Sequence, residues 1–337
     1  MKKYKTAVLL TGSGGNISQE TAIIDQLIKS RELALNEEDT FLAASGSGAL
    51  NLVAINACFR DDNPCSWNQF YKERFLRSIS DDEIFIKVDP IHWITIPQRR
   101  KFNELVTAAG FAKISDLPFD SAILTTSVNE NKANWLKSTA KKERDISLTD
   151  ILMASSAIPV LYPTQQLNST TDNYPNRFIG ANYEGAMLGL FYKFRKQIKK
   201  IVQEHGTFEK IFIISPSRLY NYNASIDHDL SLMLPPEKFQ FNQFLNQISL
   251  QGFLTFLIKL QKINTQKSLS KSISISIPEM EYHFGLLDYS NQMEKYEKVK
   301  NWFDNNPERL SVDIEDFIRE TVFVPSFAEN YASDADH

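Results

Sequence analysis

The chain has 337 residues, 42% of them hydrophobic, which is enough for one large domain or two ordinary ones around a substantial core. A net charge of −4 and an isoelectric point near 5.8 leave no overall basic field to hold nucleic acid or anionic lipid by charge alone. Two cysteines, Cys58 and Cys65, are too few for a disulfide scaffold and form no CxxC pair; a reducing compartment fits, and neither a metal nor a cofactor is expected.

The first predicted element is a buried strand, Thr6–Leu10, inside the basic start MKKYKTAVLL. Its apolar run is far shorter than a signal-peptide core, and no run of about 18 uncharged apolar residues occurs anywhere, so the expectation is a cytoplasmic protein without a membrane-spanning helix. The glycine loop Gly12–Gly15 follows, then a helix from Ile17 to about Leu33 in which Ile17, Ile24, Leu27 and Ile28 recur at helical spacing. NEEDTFLAASG reads as a second strand, and GALNLVAINACF as a helix apolar enough to be buried on most sides. Two strand-loop-helix units in succession predict parallel strands with helices packed against them.

Residues 61–120, with stretches such as SWNQFYKERFLRS and IHWITIPQRRKF, read as helices and loops elaborating the sheet. DSAILTTSVNE is a predicted strand, and SLTDILMASSAIP a helix capped by Ser147 or Thr149 and stopped by Pro159. NRFIGANYEGA reads as a strand and turn, MLGLFYKFRKQIKKIVQEHG as an amphipathic helix ended by Gly206, and EKIFIISPSR as an apolar strand. SISISIP alternates with period two, which predicts a strand with one buried face. The rest reads as charged helix and a disordered tail, NYASDADH, so the expected division is an α/β domain over 1–290 and a helical extension over 291–337.

Two of the turns carry candidate chemistry. LTGSGGN, Leu10–Asn16, presents backbone N–H groups at a helix N-terminus, which suits a phosphate or a developing oxyanion; a dinucleotide fingerprint would need glycine where Ile17 stands. FLAASGSGALN, Phe41–Asn51, has the small residues of a GxSxG nucleophile elbow, but in strict register Gly46 occupies the serine position between Ser45 and Ser47. None of His92, His205, His228, His283 and His337 sits in a recognisable triad setting, and one clear strand before the elbow is too few for an α/β-hydrolase.

TGSGGN, ASGSGALN, ASSAIP at Ala154–Pro159 and FIGANYEGA at Phe178–Ala186 together resemble the landmarks of the patatin-like phospholipase family, in the same order, over roughly residues 4–220. In that family they are a glycine-rich oxyanion loop, an elbow GxSxGAxN, a segment ASxAxP and a DGG or DGA turn. The resemblance implies a three-layer α/β/α fold with a mainly parallel central sheet, here followed by the helical C-terminal extension. In active members it implies a serine–aspartate dyad that cleaves acyl esters of lipids without histidine, with loop amides holding the oxyanion; the matching loop residues are Gly12, Ser13, Gly14 and Gly15.

Aligned this way, Gly46 stands in place of the nucleophile, Gly180 in place of the aspartate, and Asn16 where the family often has arginine or lysine. Glycine at both dyad positions keeps the turns and removes the chemistry. The expectation is a homologue that binds a lipid, an acyl chain or a protein partner, with peripheral membrane contact and no nucleic acid. The alternative is an active acyl hydrolase or acyltransferase with Ser47 or Ser45 as nucleophile and Glu184 as base; Asp172, in the polar loop NSTTDNYPN, is the other nearby carboxylate. A third reading is nucleotide binding at Gly12–Gly15 with Glu37, Glu38 or Asp39 near a ribose. FLTFLIKLQKI, Phe253–Ile263, reads as core packing or a lid, and RKQIKK, Arg195–Lys200, as a solvated face or a contact for anionic headgroups.

Overall fold

The computed structural model describes residues 4–12, 14–80, 95–127, 132–157, 164–167, 177–179, 208–216, 273–278, 289–313 and 316–317. Within them lie nine strands: β1 Thr6–Leu10, β2 Thr40–Ser45, β3 Asp120–Ser127, β4 Lys132–Lys137, β5 Gln165–Gln166, β6 Arg177–Ile179, β7 Lys210–Ile214, β8 Ile273–Ser276 and β9 Val312–Asp313. They form one sheet in the order β5-β6-β3-β2-β1-β7-β8-β9, with β4 also paired to β3. The centre, β3-β2-β1-β7-β8, is parallel, and the antiparallel pairings involve β4, β5, β6 and β9.

Successive side chains of a strand point to opposite faces, so a strand buried at every position needs cover on both. β2 is buried at all six residues, and β1 and β7 at all but the first. The sheet is therefore the middle of a three-layer α/β/α fold. SISISIP departs from its expected single buried face for the same reason: in β8 the serines are buried as well as the isoleucines, and the Ser276 hydroxyl donates to the Leu310 carbonyl.

The helices are α1 Ile17–Lys29, α2 Gly48–Cys58, α3 Arg77–Ser80, α4 Thr95–Ala108, α5 Leu148–Ser156 and α6 Gln292–Asn305, with a π-helical stretch, Trp67–Leu76, leading into α3. The β1-α1-β2 and β2-α2-β3 crossovers step in the same direction across the sheet, and their right-handedness places α1 and α2 side by side on one face. Every residue of α2 is buried. Helix α1 stops at Lys29, short of the expected Leu33, because Arg31 adopts a left-handed conformation (φ 62°) that a helix cannot continue through. Ser147 caps α5, its hydroxyl accepting from the Asp150 N–H at 3.3 Å.

Among the described residues no helix is long and apolar enough to cross a membrane. The predicted helix ending at Gly206, the apolar stretch 253–263, the basic run 195–200, all five histidines and the C-terminal tail lie outside the described residues.

Helix α6 packs along α1, and one buried carboxylate bridges their seam. Asp25 accepts from Lys29 at 2.8 Å, from Lys72 at 3.2 Å and from the Tyr296 hydroxyl. Burial pushes its pKa up, but the bonds from Lys29 and Tyr296 and the charge of Lys72 outweigh this and hold it below the usual 3.8. A lowered carboxylate pKa contributes stability that is present above the unfolded value and is lost as pH falls through the folded one. Asp25→Asn is accordingly predicted to destabilise the protein by about 2 kcal/mol at pH 7. In urea unfolding at pH 3 and below the difference from wild type should shrink.

Candidate functional site

Because β1 and β2 are parallel neighbours with Leu10 opposite Ala44, their C-terminal ends deliver two turns to the same edge of the sheet. After β1 the glycine loop runs through Gly12 (φ +70°) and Gly14 (φ +55°) into a short 3-10 turn, Gly14–Asn16, and then α1. After β2 the chain reverses at Gly46 (φ +55°) and enters α2. The two turns touch backbone to backbone. A Cβ on Gly12 would stand 2.2 Å from the Ser45 carbonyl oxygen and 3.0 Å from the Gly48 nitrogen; one on Gly48 would stand 2.9 Å from the Leu10 carbonyl oxygen. Only glycine allows this approach, whatever it does for the φ angles.

Gly46 is different. A Cβ there would meet nothing within 4 Å, and the residue is partly exposed, whereas Ser45 and Ser47 on either side are each 3% exposed. The tip of the elbow faces open space and its two serines are turned into the protein. Ser47 takes helical angles at the start of α2 and makes no side-chain cap there. The turn is held from α5: the Ser155 hydroxyl accepts from the Gly46 N–H at 3.0 Å and donates to the Leu124 carbonyl at 2.7 Å. ASSAIP thus supplies a strut for the elbow, a role that its sequence alone did not disclose.

Glu184, Asp172, Ser13 and Gly180 lie outside the described residues. Strand β6 ends at Ile179, opposite Thr126, two residues beyond the Leu124 that pairs with Ser45. The ribose-contact residues of the nucleotide reading do not meet the glycine loop. Glu37, Glu38 and Asp39 precede β2, at the opposite end of the parallel pair, and at about 3.3 Å per residue roughly 15–20 Å of strand separates them from Gly12.

Beneath the loop lies a polar network that the sequence reading missed. Glu20, fully buried on α1, accepts from the Gly12 N–H at 3.0 Å through one oxygen and from the Asn51 amide at 2.7 Å through the other. Asn51, the last residue of GALN, in turn accepts from the Thr21 hydroxyl at 2.8 Å and from the Tyr71 hydroxyl. Burial pushes the Glu20 pKa up to about 7, against the lowering effect of the bonds from Asn51, Gly12 and the Thr11 backbone. On the other side of the loop, Gln292 and Lys295 of α6 donate to the Gly15 carbonyl at 2.7 and 3.2 Å, and Gln292 accepts from the Ser18 N–H at 3.3 Å. Asn16, at the cap of α1, is buried and makes no side-chain cap bond. Among the described residues no cluster of histidine, cysteine or carboxylate side chains could hold a metal ion.

No family profile and no curated protein matches the chain. Among solved structures, VipD from Legionella pneumophila is similar at a TM-score of 0.35 and 8% sequence identity, over 91% of this chain and 67% of that one.

Two predictions follow from the geometry. Gly12→Ala should prevent stable folding or cost several kcal/mol, because the clash is with backbone, whereas Gly46→Ala should cost only the about 1–2 kcal/mol of a left-handed alanine, as read by thermal melts. A carboxyl whose pKa is raised on folding stabilises the folded state fully below its unfolded value, near 4.5, and loses that contribution as pH rises through about 7. The Glu20 contribution should therefore fall by on the order of 3 kcal/mol between pH 4.5 and 8, and Glu20→Gln should remove that part of the pH dependence in denaturant unfolding.

Proposed function

We propose that the chain is a patatin-like homologue that has lost serine–aspartate hydrolysis and binds a lipid or acyl group at the cleft beside the elbow. The observation that carries this reading is Gly46: the turn has the left-handed angle and open front of a nucleophile elbow, and no side chain at its tip. Attack on an ester needs a hydroxyl about 3–3.5 Å from the carbonyl carbon. The neighbouring serines are 3% exposed on either side of that tip, which speaks against either as a substitute nucleophile.

What is left suits binding. The loop that leads into α1 meets the N-terminus of α2 where Gly12 abuts Gly48, and helix N-termini favour a ligand oxygen carrying negative charge. Close to this junction Thr11 Oγ1, Asn16 Oδ1, Ser18 Oγ and both polar atoms of Gln19 are buried without a hydrogen-bond partner among the described residues, a pattern that accompanies ligand and water positions. The negative net charge favours an acyl ligand over nucleic acid, and a membrane surface is the natural source of one.

The wild-type protein is predicted to show no turnover of short-chain nitrophenyl esters above background and no labelling by a fluorophosphonate probe, while a fluorescent fatty acid should bind saturably. Gly46→Ser combined with Gly180→Asp should gain slow esterase activity. Wild-type turnover abolished by Ser47→Ala or Ser45→Ala would establish the alternative, an active acyl hydrolase. Failure of the fatty acid to bind would remove the ligand half of the proposal.

A further inference from the structure

Among the described residues two carboxylates are buried, and they are built differently. Asp25 has lysines beside it, whereas Glu20 has only hydrogen-bond donors. Those donors are fixed in direction. Gly12 N–H points at one oxygen; Asn51 must offer its amide N–H to the other, because the Asn51 oxygen is occupied by Thr21 and Tyr71. The hydrogen bonds are thus matched to the ionised carboxylate even though burial disfavours its charge, and an added proton on either oxygen competes with the donor already in place for that oxygen's lone pairs.

We propose that Glu20 is a pH-operated latch on the glycine loop: ionised, it holds the loop closed against the elbow through the Gly12 amide, and protonated, it releases that amide and lets the loop loosen. A proton on the oxygen facing the loop displaces the Gly12 N–H. A proton on the other oxygen would force Asn51 to turn over and would cost a second bond, from its amide to the Ile17 carbonyl, so the loop-facing oxygen takes the proton. The disturbance reaches the segment that shapes the site, since Gly12 abuts Gly48.

Three titratable groups pack around Glu20 and its loop among the described residues. From the π-helical stretch comes Tyr71, and from α2 comes Cys58 beside it; burial pushes both upward, Cys58 to about 12, so each stays protonated through neutrality. From the described part of the glycine loop the Gly12 and Thr11 amides face it, and from α6 Lys295 reaches the Gly15 carbonyl. The Glu20 transition falls near pH 7, inside the range that a cell or an organelle can traverse.

The test is amide hydrogen exchange on the full chain between pH 5.5 and 8.5, corrected for the intrinsic rate, with the carboxyl carbon of Glu20 followed by NMR in the same samples. Protection of the Gly12 amide should fall about tenfold on acidification, the loss of one hydrogen bond, while Val8 in β1 stays protected. The Glu20 carboxyl shift should titrate with the same midpoint, a reading that needs no variant. In Glu20→Gln the Gly12 protection should be flat with pH. Constant Gly12 protection in the wild type, an unchanged pH dependence in Glu20→Gln, or a Glu20 carboxyl that does not titrate in this range would each overturn the proposal. None of these outcomes depends on whether the cleft binds an acyl ligand.

Discussion

The contact on which the candidate site depends is between two backbones. Gly12 and Gly48 lie so close that a methyl group on either would overlap main-chain atoms of the other turn, and this approach sets where α1 and α2 begin relative to each other. Side-chain packing elsewhere can adjust by changing rotamers, but a backbone contact cannot relax in that way. The strand register with Leu10 opposite Ala44, the strut from Ser155 and the buried carboxylate under the loop all act to keep the two turns at this separation.

The layers of the fold were readable from the sequence because they rest on local pattern. Thr6–Leu10 and the apolar helix after the elbow stand where the hydrophobic runs placed them, since a continuous apolar run between glycine turns has few other ways to be buried. Period two in SISISIP identified the strand but not its surroundings: whether serines meet solvent or a second layer depends on chain far away in sequence. The end of α1 was lost for a different reason, because Arg31 is an ordinary residue in a conformation that its type does not announce.

The elbow was legible as a motif, and its glycines could be assigned to turns. The groups that hold it were not. Glu20 reads as a solvated residue of an amphipathic helix, Asn51 as one of two asparagines in an otherwise apolar helix, and Ser155 as one small residue among several; their roles appear only when α1, α2 and α5 are brought together. A buried carboxylate held by hydrogen-bond donors leaves no signature in composition or spacing. The two asparagines inside an otherwise apolar, fully buried helix were the available sign that polar partners had to exist.

The bonds from Gln292 and Lys295 to the Gly15 carbonyl have a consequence for how the protein is made. They join residues 277 and 280 positions apart. A ribosome releasing the polypeptide in order finishes β1, β2 and the elbow long before α6 emerges, and until then the loop lacks the helix that fastens its second side. Contacts of such separation carry a large closure entropy and form late. The turns of the candidate site are thus synthesised well before the helix that completes them, which makes their final shape in the nascent protein dependent on a segment far downstream.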